Sequence, residues 1–420
     1  MRTKTQKYRW LSKRLPQVGS PRIVVLTGAR QTGKTTLARA LFPSLRYVNL
    51  DSLEERELLR VVRTASWAES VGPAVLDEAQ KEPTVFEKVK WAFDEGQIDF
   101  TVLLGSSRIL LMERVKETLA GRAYLYDLWP LMASELMFDA GQPVAEPLLH
   151  RLVNSAGRLD DVLGSEAQIL LGPEEERRRQ AVDHLAQWGG MPGLLPLEDE
   201  DRREWLRSYQ QTFLERDLAD LVRLSDLHPF RTMQQLCMLR SGQLLSYADL
   251  ARDAGLSAAT ARRYLEYLRI SYQTMLLQPY RRNLTSVLVK APKLYWIDLG
   301  LLRQGTRQWG PLTGAMFETL AVGEIHKWLS SMAPDTQMSF YRTRSGMEVD
   351  LLLDTPAGVI GMEFKCRKSV GLSDGTSMRA LARALGDRWR GGLIVHTGHD
   401  LSLMSRDTSI WAMPLHRLVS

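Results

Sequence analysis

Apolar residues follow two patterns along the chain, and the changes between them divide it. Up to about residue 140, short apolar runs alternate with amphipathic stretches. The runs are Arg22-Ile23-Val24-Val25-Leu26, Leu45-Arg46-Tyr47-Val48-Asn49-Leu50, Ala74-Val75-Leu76, Phe100-Thr101-Val102-Leu103-Leu104 and Ala123-Tyr124-Leu125-Tyr126. Apolar strands separated by helical patterns predict a parallel sheet covered on both faces. A connector near 141–150 holds Gly141, Pro143 and Pro147. From 151 to about 310, Leu, Ala and Arg recur with a helical period, and a mostly helical region is expected. From about 311, β-rich runs return at 338–341, 349–353 and 359–364. Three zones are therefore expected: 1–140, 141–310 and 311–420.

Composition narrows the class. The 420 residues are 44% hydrophobic and 25% charged, which is ordinary for a globular protein and excludes collagen-like, low-complexity and wholly disordered chains. No apolar run reaches the roughly 18 residues that span a bilayer. No apolar segment with a small-residue cleavage site follows the basic start. The two cysteines, Cys237 and Cys366, make neither a disulfide framework nor, by themselves, a structural zinc site. A reduced, cytoplasmic protein with no membrane partner is expected. Formal net charge is +6, but its placement says more: the first 50 residues hold eleven Lys or Arg and no Asp or Glu. Such a segment suits nucleic acid or nucleotide phosphate, or is a solvated basic arm.

The strongest motif is Gly28-Ala29-Arg30-Gln31-Thr32-Gly33-Lys34-Thr35, a complete G-x-x-x-x-G-K-[ST] pattern. It follows an apolar run ending at Thr27 and leads through Thr36 into a helix start. Strand, glycine loop and helix gather backbone N–H groups around phosphate oxygens. In this reading residues 28–36 bind the nucleotide. Gly28 and Gly33 allow close backbone approach, Lys34 reaches the β and γ phosphates, and the Thr35 hydroxyl meets Mg²⁺. The run Ala74-Val75-Leu76-Asp77-Glu78 ends in two acids. Asp77 would support Mg²⁺ and Glu78 would polarise an attacking water. Ser106, after the strand at 101–104, would sense the γ-phosphate or orient water; the alternative is a turn with a helix cap. Arg122, in Leu119-Ala120-Gly121-Arg122, is a candidate arginine finger acting across a subunit interface, or else a surface arginine.

This order of motifs, continued by Leu128-Trp129-Pro130-Leu131, resembles the AAA+-related bacterial and archaeal ATPases of the AAA_14 type, which usually carry a C-terminal DUF4143 domain. The resemblance implies a P-loop ASCE core. It extends to Trp188-Gly189-Gly190-Met191-Pro192, similar to a Gly-Gly-x-Pro turn of that family. It includes the helix near 209–218, with Thr212, Arg216 and Asp217. It also includes Pro292-Lys293-Leu294-Tyr295-Trp296-Ile297-Asp298-Leu299-Gly300, read here as structural.

Two further constellations complete the reading. Residues 248–254, the turn Gly255-Leu256-Ser257 and residues 258–270 fit a helix-turn-helix. They resemble a winged-helix unit spanning about 241–290. Thr260, Arg262 and Arg263 would face DNA, although such units also serve as interaction or architectural modules. In the last zone Glu318, Asp350, Glu363 and Lys365 resemble a PD-(D/E)XK nuclease core. Asp350 and Glu363 would share Mg²⁺ and Lys365 would position water; strand alternation puts Glu363 and Lys365 on one face. The alternative is a binding platform that keeps the fold without cleavage.

The expected fold is therefore α/β: a P-loop ASCE/AAA+ core with a parallel sheet, a helical and winged-helix middle, and a nuclease-like α/β C-terminal domain. The expected activity is Mg²⁺-dependent ATP hydrolysis by a homo-oligomer acting on DNA, with ATP and Mg²⁺ as cofactors. The alternatives are an ATP-regulated nuclease and a non-enzymatic assembly or signalling switch.

Overall fold

The computed structural model describes residues 6–106, 108–216, 228–280 and 290–420. Asp217, and Ser107 beside Ser106, lie outside the described residues.

The amino-terminal apolar runs form β1 (Arg22–Thr27), β2 (Arg46–Asn49), β3 (Ala74–Asp77), β4 (Phe100–Leu104) and β5 (Ala123–Asp127). They pair in the order β2-β3-β4-β1-β5, and every pair is parallel. Alternation along β1 sends Ile23 and Val25 into one apolar cluster and Val24 and Leu26 into another. Both faces are thus covered, which is why the strands read as continuous apolar runs. β4 stands between β1 and β3, so the loop after β1 and the acids ending β3 face each other across one strand.

Between Lys7 and Arg14 the basic segment is held by contacts rather than solvated. Arg9 is buried; its guanidinium donates to the carbonyls of Thr32 (3.3 Å) and Trp129 and pairs with Glu135. Lys7 pairs with Asp139, Lys13 with Glu146, and Arg14 donates to the carbonyls of Ser330 and Ser331. Charge that reads as available for phosphate is used here to fix residues 7–14 to later segments.

The middle zone is largely helical, as expected, with Pro173–Trp188 and Asp199–Arg216 its longest helices. Tyr247–Asp253 and Ala258–Ile270 form the expected pair of helices, capped by the Ser246 and Ser257 hydroxyls. This zone also contributes β6 (Gln243–Leu244), β7 (Thr274–Pro279) and β8 (Lys293–Trp296). These join β9 (Gln337–Arg342), β10 (Glu348–Thr355), β11 (Gly358–Lys365), β12 (Trp389–His396), β13 (Ser402–Ser405) and β14 (Ile410–Pro414) in one mixed nine-stranded sheet. The join is the parallel pairing of Gln278 and Pro279 with Ser339 and Phe340. The sheet therefore runs across residue 310, and one apolar core continues from the middle helices under the C-terminal strands. Among the described residues no helix is long and apolar enough to cross a membrane.

Candidate functional site

The loop after β1 is shaped by close backbone approach. Gly28 has φ +148°, and a Cβ there would sit 2.2 Å from the Leu128 carbonyl oxygen, so no side chain fits. Leu128 N–H in turn donates to Thr27 O at 2.8 Å. The Leu-Trp-Pro-Leu segment is thus the wall against which the loop closes. Gly33, with φ +96°, precedes the helix Lys34–Leu41. The Thr32 hydroxyl donates to Ala29 O at 2.9 Å. The buried Lys34 ammonium lies 2.9 and 2.8 Å from the carbonyl oxygens of Gly28 and Ala29.

Thr35 and Asp77 meet. Thr35 Oγ1 donates to Asp77 Oδ2 at 2.6 Å, and Tyr47 Oη donates to the same oxygen at 2.8 Å. Burial, together with the hydrogen bond to Asp77, raises the Tyr47 phenol, which keeps it a donor. A hydroxyl and a carboxylate oxygen at contact distance are hard donors of the kind Mg²⁺ takes, so these residues fit that ion.

Glu78 carries φ +52°, a left-handed conformation rare for a side chain larger than Gly or Asn. Its amide donates to Asp77 Oδ1 at 2.9 Å. Its own Oε2 accepts from Gln80 Nε2 at 2.6 Å and from Ser106 Oγ at 3.1 Å. Ser106, from the end of β4, is therefore brought onto Glu78. Arg30, Gln31, Lys34, Thr35, Glu78 and Ser106 line one face of a cavity of about 310 Å³. Arg122 does not line it; the guanidinium makes a two-pronged pair with Asp94, 2.5 Å from Nε to Oδ1, at the surface.

The rest of the lining comes from the middle zone, which sequence reading does not predict. Trp205, Ser208, Tyr209 and Thr212 of the helix Asp199–Arg216 line the same cavity. Tyr209 Oη donates to Arg30 O at 3.3 Å, and the Trp205 and Tyr209 rings stack with centroids 5.2 Å apart. The helical pattern around Tyr209 signals a helix but not what it covers.

The Gly-Gly-x-Pro turn serves the junction between zones. Gly190 N–H donates to Asp298 Oδ2 at 2.8 Å, and Leu131 N–H donates to Gly190 O at 2.7 Å. A Cβ on Gly190 would meet the Leu131 carbonyl oxygen at 2.2 Å. The turn is therefore clamped between Asp298 and the Leu-Trp-Pro-Leu wall.

The C-terminal constellation also assembles, around a lysine that sequence reading left without chemistry. Lys293, 4% exposed, lies 2.9 Å from Glu318 Oε1, 2.7 Å from Glu348 Oε1 and 3.5 Å from Asp350 Oδ1. Tyr295 Oη donates to Glu318 Oε1 at 2.6 Å. Burial opposes the Lys293 charge, but Glu318, Asp350 and Glu348 outweigh it and raise its pKa. Asp350 Oδ2 accepts from Phe364 N–H at 2.9 Å, and Lys365 Nζ donates to Glu363 Oε1 at 2.8 Å. Burial, then Asp350, push Glu363 up to about 7. Glu324, on the same helix as Glu318, points elsewhere: it accepts from Ala133 N–H at 2.7 Å and pairs with Lys327.

On the two-helix unit, Arg262 and Arg263 are exposed and Thr260 is half-buried. The Arg262 guanidinium lies 4.5 Å from the Tyr247 ring centroid and that of Arg263 5.9 Å from Tyr264. The Thr260 hydroxyl is 2.9 Å from Ser257 Oγ, inside the helix cap.

Comparison with known proteins agrees with this architecture. Residues 20–137 match the family described as AAA domain (AAA_14), residues 313–418 match a domain of unknown function, DUF4143, and residues 179–308 match another, DUF8612. Along the chain an AAA_14 match is thus followed by a C-terminal DUF4143 match. Uncharacterized protein Rv2008c of Mycobacterium tuberculosis and Uncharacterized protein Mb2031c of Mycobacterium bovis are each 28% identical over 372 residues, covering 85% of this chain and 73% of theirs. Among solved structures, the Walker-type ATPase paby2304 of Pyrococcus abyssi aligns at 16% identity and a TM-score of 0.42, over 68% of this chain and 91% of that one.

Proposed function

We propose that the amino-terminal domain hydrolyses ATP with Mg²⁺. The observation that carries this reading is the contact between Thr35 Oγ1 and Asp77 Oδ2, beside a cavity lined by Thr35, Lys34 and Glu78. In this reading the backbone N–H groups of residues 28–36 hold the phosphates, Lys34 neutralises the β and γ oxygens, and Thr35 and Asp77 hold the metal. The metal supplies charge neutralisation at the transferring phosphoryl group. Glu78 orients the water, and its hydrogen bond from Ser106 fixes the carboxylate. The strained backbone at Glu78 supports a functional role, because such conformations collect at active sites. The test is phosphate release from ATP with and without Mg²⁺, for wild type and Lys34→Ala. Wild-type turnover that needs Mg²⁺ and disappears in Lys34→Ala supports the reading; equal turnover in the two proteins overturns it.

In the same reading, turnover moves the helix Asp199–Arg216, which walls the cavity, and with it the middle and C-terminal zones. DNA is the proposed partner, supported by the exposed Arg262 and Arg263 on Ala258–Ile270, the second helix of a winged-helix-like unit. An oligomer is proposed with it, in which Arg122 would exchange Asp94 for a neighbour's nucleotide. Stimulation of the ATPase by double-stranded, single-stranded or branched DNA at stated salt tests the partner; Arg262→Glu should remove it.

A second reading, metal-dependent DNA cleavage by a nuclease-like C-terminal domain, is favoured by the convergence of Glu318, Asp350, Glu363 and Lys365. The Lys293 ammonium already neutralises part of that cluster, which favours the platform alternative. Plasmid incubated with Mg²⁺ or Mn²⁺ and wild type, against Asp350→Ala, separates the two.

A further inference from the structure

Away from the phosphate loop, the first turn of the helix Pro173–Trp188 meets the C-terminal helix Leu415–Val419 and the turn after β12. Three metal-ligating side chains converge there. Ligand atoms of Glu175, His399 and His416 all lie within 4.8 Å of one another. His416 Nε2 is hydrogen-bonded to Glu175 Oε1. The second carboxylate oxygen, Glu175 Oε2, is buried with no hydrogen-bond partner, on a side chain only 9% exposed. An acceptor left unpaired in the interior is costly unless something else satisfies it.

The third group, His399, is exposed, and the backbone on either side of it is held. Gly398 N–H donates to His396 Nδ1 at 2.9 Å, Thr397 N–H to Arg367 O at 3.1 Å and Leu401 N–H to Gln168 O at 2.9 Å. Its ring centroid stands 6.0 Å from that of His416. The nearby arginines hydrogen-bond other oxygens, Arg417 the carbonyls of Ala167 and Gln168 and Arg178 the Glu174 carboxylate and the Ser420 carbonyl, while the Arg417 charge also acts on Glu166 and Glu175.

We propose that Glu175, His399 and His416 form a binding site for a zinc-class divalent cation. Glu175 Oε2 is the carboxylate donor, and a water takes the fourth position on the solvent side, beside His399. Two imidazoles with one carboxylate are a zinc donor set that leaves one position open. Neither cysteine takes part, which is why a search for cysteine-spaced ligands passes over the site. A cation here would tie the helix Pro173–Trp188 to the end of the chain, and the proposal stands whether or not the phosphate loop turns over ATP.

The test is calorimetric titration of ZnCl₂ into the full chain, free of any histidine tag and dialysed against chelator. Thermal melting with and without Zn²⁺ accompanies it. Wild type should take up one Zn²⁺ per chain and melt higher with it. His399→Ala, at an exposed position, should fold normally by circular dichroism yet bind at least about tenfold more weakly and lose the melting shift. Glu175→Gln should weaken binding in the same direction. Failure of wild type to bind Zn²⁺, or undiminished binding by His399→Ala, overturns the proposal.

Discussion

Thr35 Oγ1 donates a 2.6 Å hydrogen bond to Asp77 Oδ2, joining the end of the phosphate loop to the end of β3 across the width of β4. Two oxygen donors, one from the helix Lys34–Leu41 and one from β3, are thereby held where one hard cation can meet both. Thr35→Ala removes one donor and leaves the loop glycines untouched. ATP binding should then lose most of its dependence on Mg²⁺, with affinity in excess Mg²⁺ falling about tenfold or more. Titration with a fluorescent ATP analogue, with and without the ion, checks this; an unchanged Mg²⁺ dependence would exclude Thr35 from the metal site.

The helix Asp199–Arg216 should report nucleotide directly. Trp205 lines the cavity and stacks on Tyr209, whose hydroxyl holds the Arg30 carbonyl. Nucleotide binding should change tryptophan emission, and Trp205→Phe should remove most of that change although ten other tryptophans remain of the 11 in the chain. A full signal in Trp205→Phe would mean that this wall does not meet the ligand.

Lys293 should matter for stability far more than a surface lysine. It is 4% exposed and shared among Glu318, Glu348 and Asp350. Lys293→Met leaves their carboxylates facing one another without a cation, and breaking a buried pair in this way costs about 3–5 kcal/mol. Urea denaturation should show the loss, and adding Glu348→Gln should restore part of it. A single variant as stable as wild type would contradict the shared pairing.

Glu363 gives that cluster a pH signature. Burial and Asp350 lift it from the ordinary 4.5 to about 7. Between those values the folded chain keeps a proton that the unfolded chain has lost. The stability this group contributes is therefore complete at low pH and falls as pH rises towards 7. Glu363→Gln should remove that fall, so its melting temperature should exceed that of wild type by a few degrees at pH 8 and by less at pH 5. A gap that is the same at both pH values would contradict the raised carboxyl.

Much of the fold was legible because burial on both faces writes itself into sequence. Val24-Val25-Leu26 and Val102-Leu103-Leu104 are apolar at every position since each face of β1 and β4 meets its own core. Ser257 marked the start of the second short helix because an N-cap hydroxyl is a local device. Gly28 and Lys34 were legible for the same reason: the loop's geometry is set within a few residues. What escaped depends on distant partners. Trp205 and Tyr209 look like any apolar stripe until the helix is seen over the loop, about 180 residues away in sequence. Lys293 carries no signal of its own, since its partners lie on two other elements. The continuity of the sheet across residue 310 rests on two paired positions, Gln278 with Ser339 and Pro279 with Phe340, which no periodicity announces.

The central claim, that Glu78 activates water for attack on a triphosphate held by the loop, is tested most directly by measuring occupancy and turnover in one variant. Glu78→Gln should bind ATP and Mg²⁺ as tightly as wild type while releasing phosphate at least about a hundredfold more slowly. Wild-type phosphate release by Glu78→Gln at full occupancy would contradict the account.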